Sequence, residues 1–190
     1  MTIQAAFDEH QQVLAEAAAS LPPVLERVAD ALYGCLAGGH KLLACGNGGS
    51  ASDAEHLVAE LVGRYRDERR ALPAISLAGG MATMTALAND YGYETVFARQ
   101  VEALARPGDL LFAISTSGNS PNVLAAARAA RARGVAVVGF TGAGGGKLAG
   151  EVDHLVAAPS RVTARIQEVH ILCLHTICER LDARLRGEGA

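Results

Sequence analysis

The feature that most constrains how this chain can fold is a repeated change of period. Short apolar runs at 41–45, 74–78, 110–115, 135–140 and 154–157 alternate with longer stretches of helical spacing. The run Val135-Ala136-Val137-Val138-Gly139-Phe140 shows no polar alternation, so it reads as a strand buried on both faces. Short buried strands separated by helices predict an α/β fold of three layers, a five-stranded and mostly parallel sheet lying between helices. Ahead of the first run, the spacing predicts helices over 3–21 and 22–37, with Pro22-Pro23 opening the second and Gly38-Gly39 closing it. A long final helix is expected over 162–187, where Ile166, Val169, Leu172, Cys173, Ile177 and Leu181 recur at helical intervals. No linker breaks the chain. It reads as one domain over 1–190, made of N-terminal helices (1–37), an α/β core (41–160) and the last helix, with a flexible glycine loop at 142–146.

Half of the residues are hydrophobic, ample for a buried core, and the net charge of −3 comes from charges of both signs spread along the sequence. Without a basic stripe to neutralise a phosphate backbone, nucleic acid is a poor candidate ligand. Asp8, Glu9, Gln11, Gln12 and Glu16 are unlike a signal peptide or membrane span, and a cytoplasmic protein is the expectation. Cys35, Cys45, Cys173 and Cys178 occur singly in apolar stretches, without C-x-x-C spacing, and read as buried small hydrophobes. Cys45 ends a strand beside a loop, but no base adjoins it.

Two loops of one composition follow two of the predicted strands. Ser115-Thr116-Ser117-Gly118-Asn119-Ser120 lies between the run ending at Ile114 and the helical pattern 123–133, and Cys45-Gly46-Asn47-Gly48-Gly49-Ser50-Ala51-Ser52 leads into a helix beginning near Ser50. One Ser-Gly-Asn turn would serve as a helix cap alone. Four hydroxyls, with backbone N–H groups and a helix N-terminus, exceed that need and suit a small anion such as a phosphate. In open α/β sheets ligands bind beyond the carboxyl ends of strands, where both loops lie.

On the helix after the first loop, His56 and Glu60 stand four apart and share a face, as a metal or substrate pair would and as a solvated surface pair also does. The last helix carries Gln167, Glu168, His170 and His175 among apolar residues. Gln167 and His175 are separated by about 12 Å along a straight helix, far for one ion, so different subunits are expected to supply them if both serve one kind of site. Asn89-Asp90, at the end of a helical run over 81–88, suits a sugar hydroxyl or an ordinary turn. Arg64, two turns beyond His56 and expected on the same helix, suits an acid or an exposed surface.

These stretches together, with Asp53-Ala54-Glu55-His56 through Glu60, Gly63-Arg64-Tyr65, Ala88-Asn89-Asp90-Tyr91 and Arg165-Ile166-Gln167-Glu168-Val169-His170, resemble the sugar isomerase (SIS) domain and, over nearly the whole chain, the phosphoheptose isomerase family. The resemblance implies a flavodoxin-like sheet, a cytoplasmic homotetramer with sites between subunits, and conversion of sedoheptulose 7-phosphate to glycero-manno-heptose 7-phosphate on the way to activated heptose for surface glycans. By it, Ser115, Thr116, Ser117 and Ser120 hold phosphate; Asn47, Gly48, Gly49, Asn89 and Asp90 line the sugar, with Glu60 and Gln167. His56, Glu60, Gln167 and His175 match zinc ligands, one ion per subunit. Isomerisation through an enediol needs a base and an acid, here Glu60 and His175, roles that compete with metal ligation. SIS domains also act as sugar-phosphate sensors, and one relative binds the replication initiator. That relative lacks counterparts of Glu60 and His175, both present here, and a sensor's DNA-binding domain is not expected within this length.

Overall fold

The strand Leu110–Ile114 (β3) is buried at all five positions, as its unbroken apolar sequence requires, and the sheet is built outward from it. The computed structural model describes residues 2–187. On one side β3 pairs with Leu42–Gly46 (β1), which pairs with Ala74–Ser76 (β2); on the other it pairs with Ala136–Thr141 (β4), which pairs with His154–Ala157 (β5). All pairings are parallel, and the order β2-β1-β3-β4-β5 is that of a flavodoxin-like sheet, in which the order of winding switches between β1 and β3.

Side chains alternate across this sheet and divide the interior in two. Leu42, Ala44, Leu110, Phe112, Ile114, Val138 and Phe140 pack on the face covered by Ile3–Ser20 (α1), Pro22–Ala37 (α2), Gly49–Val62 (α3) and Thr163–Leu185 (α7). Leu43, Cys45, Leu111, Ala113 and Val137 pack on the opposite face, beneath Val96–Leu104 (α5) and Pro121–Ala132 (α6). Burying roughly ten apolar strand side chains at about 1.5–3 kcal/mol each is the main force holding the three layers together. All four cysteines are buried and free, and burial pushes Cys45 up to about 12, so it is no nucleophile at neutral pH.

Three local expectations are corrected. α3 stops at Val62, where Gly63 N–H donates to Ala59 O and the backbone leaves the helical region, so Arg64 lies beyond the helix. Its exposed guanidinium stands 3.6 Å from Glu68. Met81–Tyr91 (α4) continues past residue 88, so Asn89 and Asp90 belong to its last turn. The glycine loop at 142–146 is tied down: Gly142 N–H donates to Thr116 O at 2.8 Å, and Lys147 N–H to Asn119 Oδ1 at 3.1 Å. No helix among the described residues is long and apolar enough to cross a membrane.

Candidate active site

Register sets the site. Gly46 is level with Ile114, and Ile114 with Phe140, so the segments after β1, β3 and β4 leave the sheet side by side. A pocket opens where the strand order switches, lined by Asn47, Gly48, Gly49, Ser50, Ser115, Thr116, Ser120, Thr163 and Gln167. Ser115 Oγ and Ser120 Oγ are 2.9 Å apart, turned toward each other at the head of α6. Among the described residues, the amides of Thr116, Ser117, Gly48 and Gly49 have no backbone acceptor, leaving these donors for an anion at the positive ends of α3 and α6.

The close approach of the backbones depends on glycine. A Cβ on Gly49 would stand 2.3 Å from Gln167 Nε2, so any larger residue there would turn the Gln167 side chain out of its place beside the first loop. Gly118, at φ +64°, would push a Cβ to 2.0 Å from Gly145 O.

Asn47 lines the pocket, but both of its polar atoms are engaged within the protein. Its Nδ2 donates to Asn122 Oδ1 at 2.9 Å, Asn122 Nδ2 donates back at 2.8 Å, and Tyr93 hydroxyl donates to Asn47 Oδ1 at 2.8 Å. Asn122, 2% exposed, also accepts from Val123 N–H at 3.0 Å. This bracket joins the two loops. Asn122, Tyr93 and Thr163 were not foreseen; a buried asparagine beside a helix-opening proline carries no local signal of its partner 75 residues away.

The second cluster lies where α3 meets α7. His56 Nε2 is 3.1 Å from Glu60 Oε1, the four-residue pairing expected, and 2.8 Å from His175 Nε2. Donor atoms of the three residues lie within 4.8 Å of one another. Tyr65 flanks them, its ring 5.7 Å from that of His175. Two imidazole nitrogens and a carboxylate converging on one point suit a borderline divalent cation such as zinc. One chain brings these three together, without a second subunit. Gln167 stands eight residues earlier on α7, against Gly49. Asp53, one turn before His56, has a buried Oδ2 without a partner, and burial raises its carboxyl to about 6 despite the opposing pull of His56.

Other expected residues lie outside the pocket. Ser117 faces a neighbouring depression with Ser160, Arg161 and Thr163, and its Oγ accepts from Asn119 N–H at 3.1 Å. On exposed α4, Asn89 Nδ2 donates to Asp90 Oδ1 at 2.8 Å. His170 is buried, with Nε2 at 3.0 Å from Thr141 O at the end of β4.

The SIS-domain family matches residues 7–142. Phosphoheptose isomerase of Shewanella denitrificans is 50% identical over 186 residues, covering 96% of this chain and 95% of that protein. The chain belongs to the phosphoheptose isomerase family. The solved phosphoheptose isomerase of Neisseria gonorrhoeae superposes with a TM-score of 0.91 at 43% identity, covering 95% of this chain and 97% of that one. That of Francisella tularensis gives 0.93 at 40%, covering 96% and 99%. As a phosphoheptose isomerase the chain is an enzyme acting on a heptose phosphate, and its fold is the SIS fold of these relatives.

Proposed function

We propose that the chain interconverts D-sedoheptulose 7-phosphate and D-glycero-D-manno-heptose 7-phosphate through an enediol, an early step toward activated heptose for surface glycans. The observation that carries this reading is the pairing of a hydroxyl-rich cradle at the β1/β3 switch point with a His56–Glu60–His175 cluster one helix away. α3 begins at the cradle and carries His56 about two turns along, roughly 10 Å, so one elongated ligand reaches both.

In this reading the phosphate rests on the amides of Thr116 and Ser117 and the hydroxyls of Ser115, Thr116 and Ser120, the Ser117 hydroxyl being turned to the neighbouring depression. Gly48, Gly49 and Gln167 flank the sugar, and Asn47 holds its loop through the Asn122 bracket. Glu60 removes the proton that moves between C1 and C2, and His175 carries a proton to and from the neighbouring oxygen. His56, Glu60 and His175 of one chain are the residues to hold zinc, and Gln167, about 12 Å away along α7, would join as a fourth donor from a neighbouring copy. Zinc bound there would supply Lewis-acid polarisation of the sugar carbonyl. Asn89 and Asp90 then meet the sugar of a neighbouring copy in a homotetramer, with Arg64 as a supporting residue. A cytoplasmic location belongs to the same reading.

The test is turnover of sedoheptulose 7-phosphate followed by NMR. Glu60→Gln keeps the shape and removes the base, and turnover falls at least about a hundredfold while inorganic phosphate still binds. His175→Ala behaves likewise. No turnover by intact, zinc-supplemented protein would put a non-catalytic sugar-phosphate-binding role ahead.

A further inference from the structure

The segment following α3 folds back and places Arg69 against the end of that helix. Its Nη2 donates to Glu60 O at 2.7 Å and its Nη1 to Leu61 O at 3.0 Å, while its Nε donates to Asp182 Oδ1 at 2.8 Å. Both side chains are inside the protein, Arg69 9% and Asp182 3% exposed. Three features make this more than a buried ion pair.

The carbonyls of Glu60 and Leu61 belong to the last turn of α3, where a helix has no N–H of its own to offer. Arg69 supplies hydrogen bonds and a positive charge to that negative end. The residue whose carbonyl it holds is itself a member of the cluster. Asp182, finally, follows His175 on α7 by seven residues, two turns, and so projects from the same face. One guanidinium therefore grips the backbone of Glu60 and, through Asp182, the helix that presents His175.

We infer that Arg69 is a positioning residue that sets the spacing of Glu60 and His175, and thereby the affinity of their cluster for a divalent cation. The inference rests on reading His56, Glu60 and His175 as metal ligands. A planar fork is required: a lysine reaches Asp182 or a carbonyl but does not bridge two helices in fixed geometry. Groups that orient metal ligands typically change affinity 10- to 100-fold when removed, and that is the scale expected here.

The experiment compares zinc affinity, by chelator competition, with inorganic phosphate affinity in the full chain. Arg69→Gln alone leaves Asp182 buried without its partner, so the informative variant is Arg69→Met with Asp182→Leu, which removes both charges together. The expected result is a zinc affinity lower by roughly tenfold or more, with phosphate affinity within about twofold of the parent and a similar melting temperature. Asp182→Asn, which leaves the two carbonyl bonds in place, loses less. Zinc affinity unchanged in the folded double variant overturns the inference, as does a parallel fall in zinc and phosphate binding. If the double variant does not fold, Arg69→Lys decides: a several-fold loss of zinc affinity supports the clamp, and parent-like affinity overturns it. A parent protein that takes up no zinc overturns the metal reading with it, whereas zinc uptake with unaffected variants overturns the clamp alone.

Discussion

His170 illustrates how one buried residue ties pH to the fold. It is fully enclosed, its ring lies edge-on to Phe140, and its Nε2–H is the donor to Thr141 O, so Nδ1 is left buried without a partner. Burial is the main cause that holds the imidazole down to about 4, against 6.5 when free. The folded protein therefore binds fewer protons than the unfolded chain between those values, and stability rises with pH across the window. At pH 7 the contribution is complete. It is lost as pH falls from about 6.5 to 4, a difference of up to about 3 kcal/mol at roughly 1.4 kcal/mol per unit. Urea unfolding at pH 7 and pH 4.5 should show that loss in the parent and a much flatter dependence in His170→Gln, which keeps a donor for Thr141 O. An equal acid loss in both proteins would place the sensitivity in the carboxylates. The sequence marked His170 as polar in an apolar stripe but not as buried, because the carbonyl it needs belongs to a strand 29 residues earlier.

Among the elements, the two loops were legible in advance and their support was not. Gly/Ser/Asn composition at two strand ends identified the cradle, and the apolar runs located all five strands, because both signals are local. The strand ends, the limit of α3 and the separate helix α5 were less visible, since a helix end is decided by what meets its last carbonyls. Arg69, nine residues past Glu60, does that here. The tie between the Ser115–Ser120 loop and the glycine loop is equally non-local: Gly118 stands against Gly145, and Leu148 N–H donates to Gly118 O at 2.9 Å. Gly118→Ala combines a positive φ with a backbone clash and should cost at least about 2 kcal/mol. Because the strain falls inside the cradle, inorganic phosphate affinity should drop more than tenfold, as isothermal titration would read, while zinc binding at the α3–α7 contact stays. Unimpaired phosphate binding would show that the loop does not depend on that approach.

For the whole molecule, a single chain accounts for the sheet and both cores but leaves an apolar helix only partly covered, Met84, Leu87 and Ala88 packing against the second core. α4 has the sequence Met-Ala-Thr-Met-Thr-Ala-Leu-Ala-Asn-Asp-Tyr, yet none of its residues is buried, and Met81 is 81% exposed. Ile3 and Phe7 on α1 and Leu172 on α7 are also exposed. Apolar side chains gathered on separate faces favour association, since each one covered contributes about 1.5–3 kcal/mol. The same helix carries Asn89 and Asp90, expected at the sugar but outside the pocket of their own chain. A tetramer that lays α4 against another copy's cradle would meet both facts, covering the apolar side chains and completing the site. Light scattering should then give a mass of about 78 kDa, four times the 19.6 kDa chain. Met81→Glu should shift the protein to smaller species at micromolar concentration and lower turnover of sedoheptulose 7-phosphate in step, with the helical signal in circular dichroism retained. A fully active monomer would refute the shared site and return Asn89 and Asp90 to an ordinary helix end.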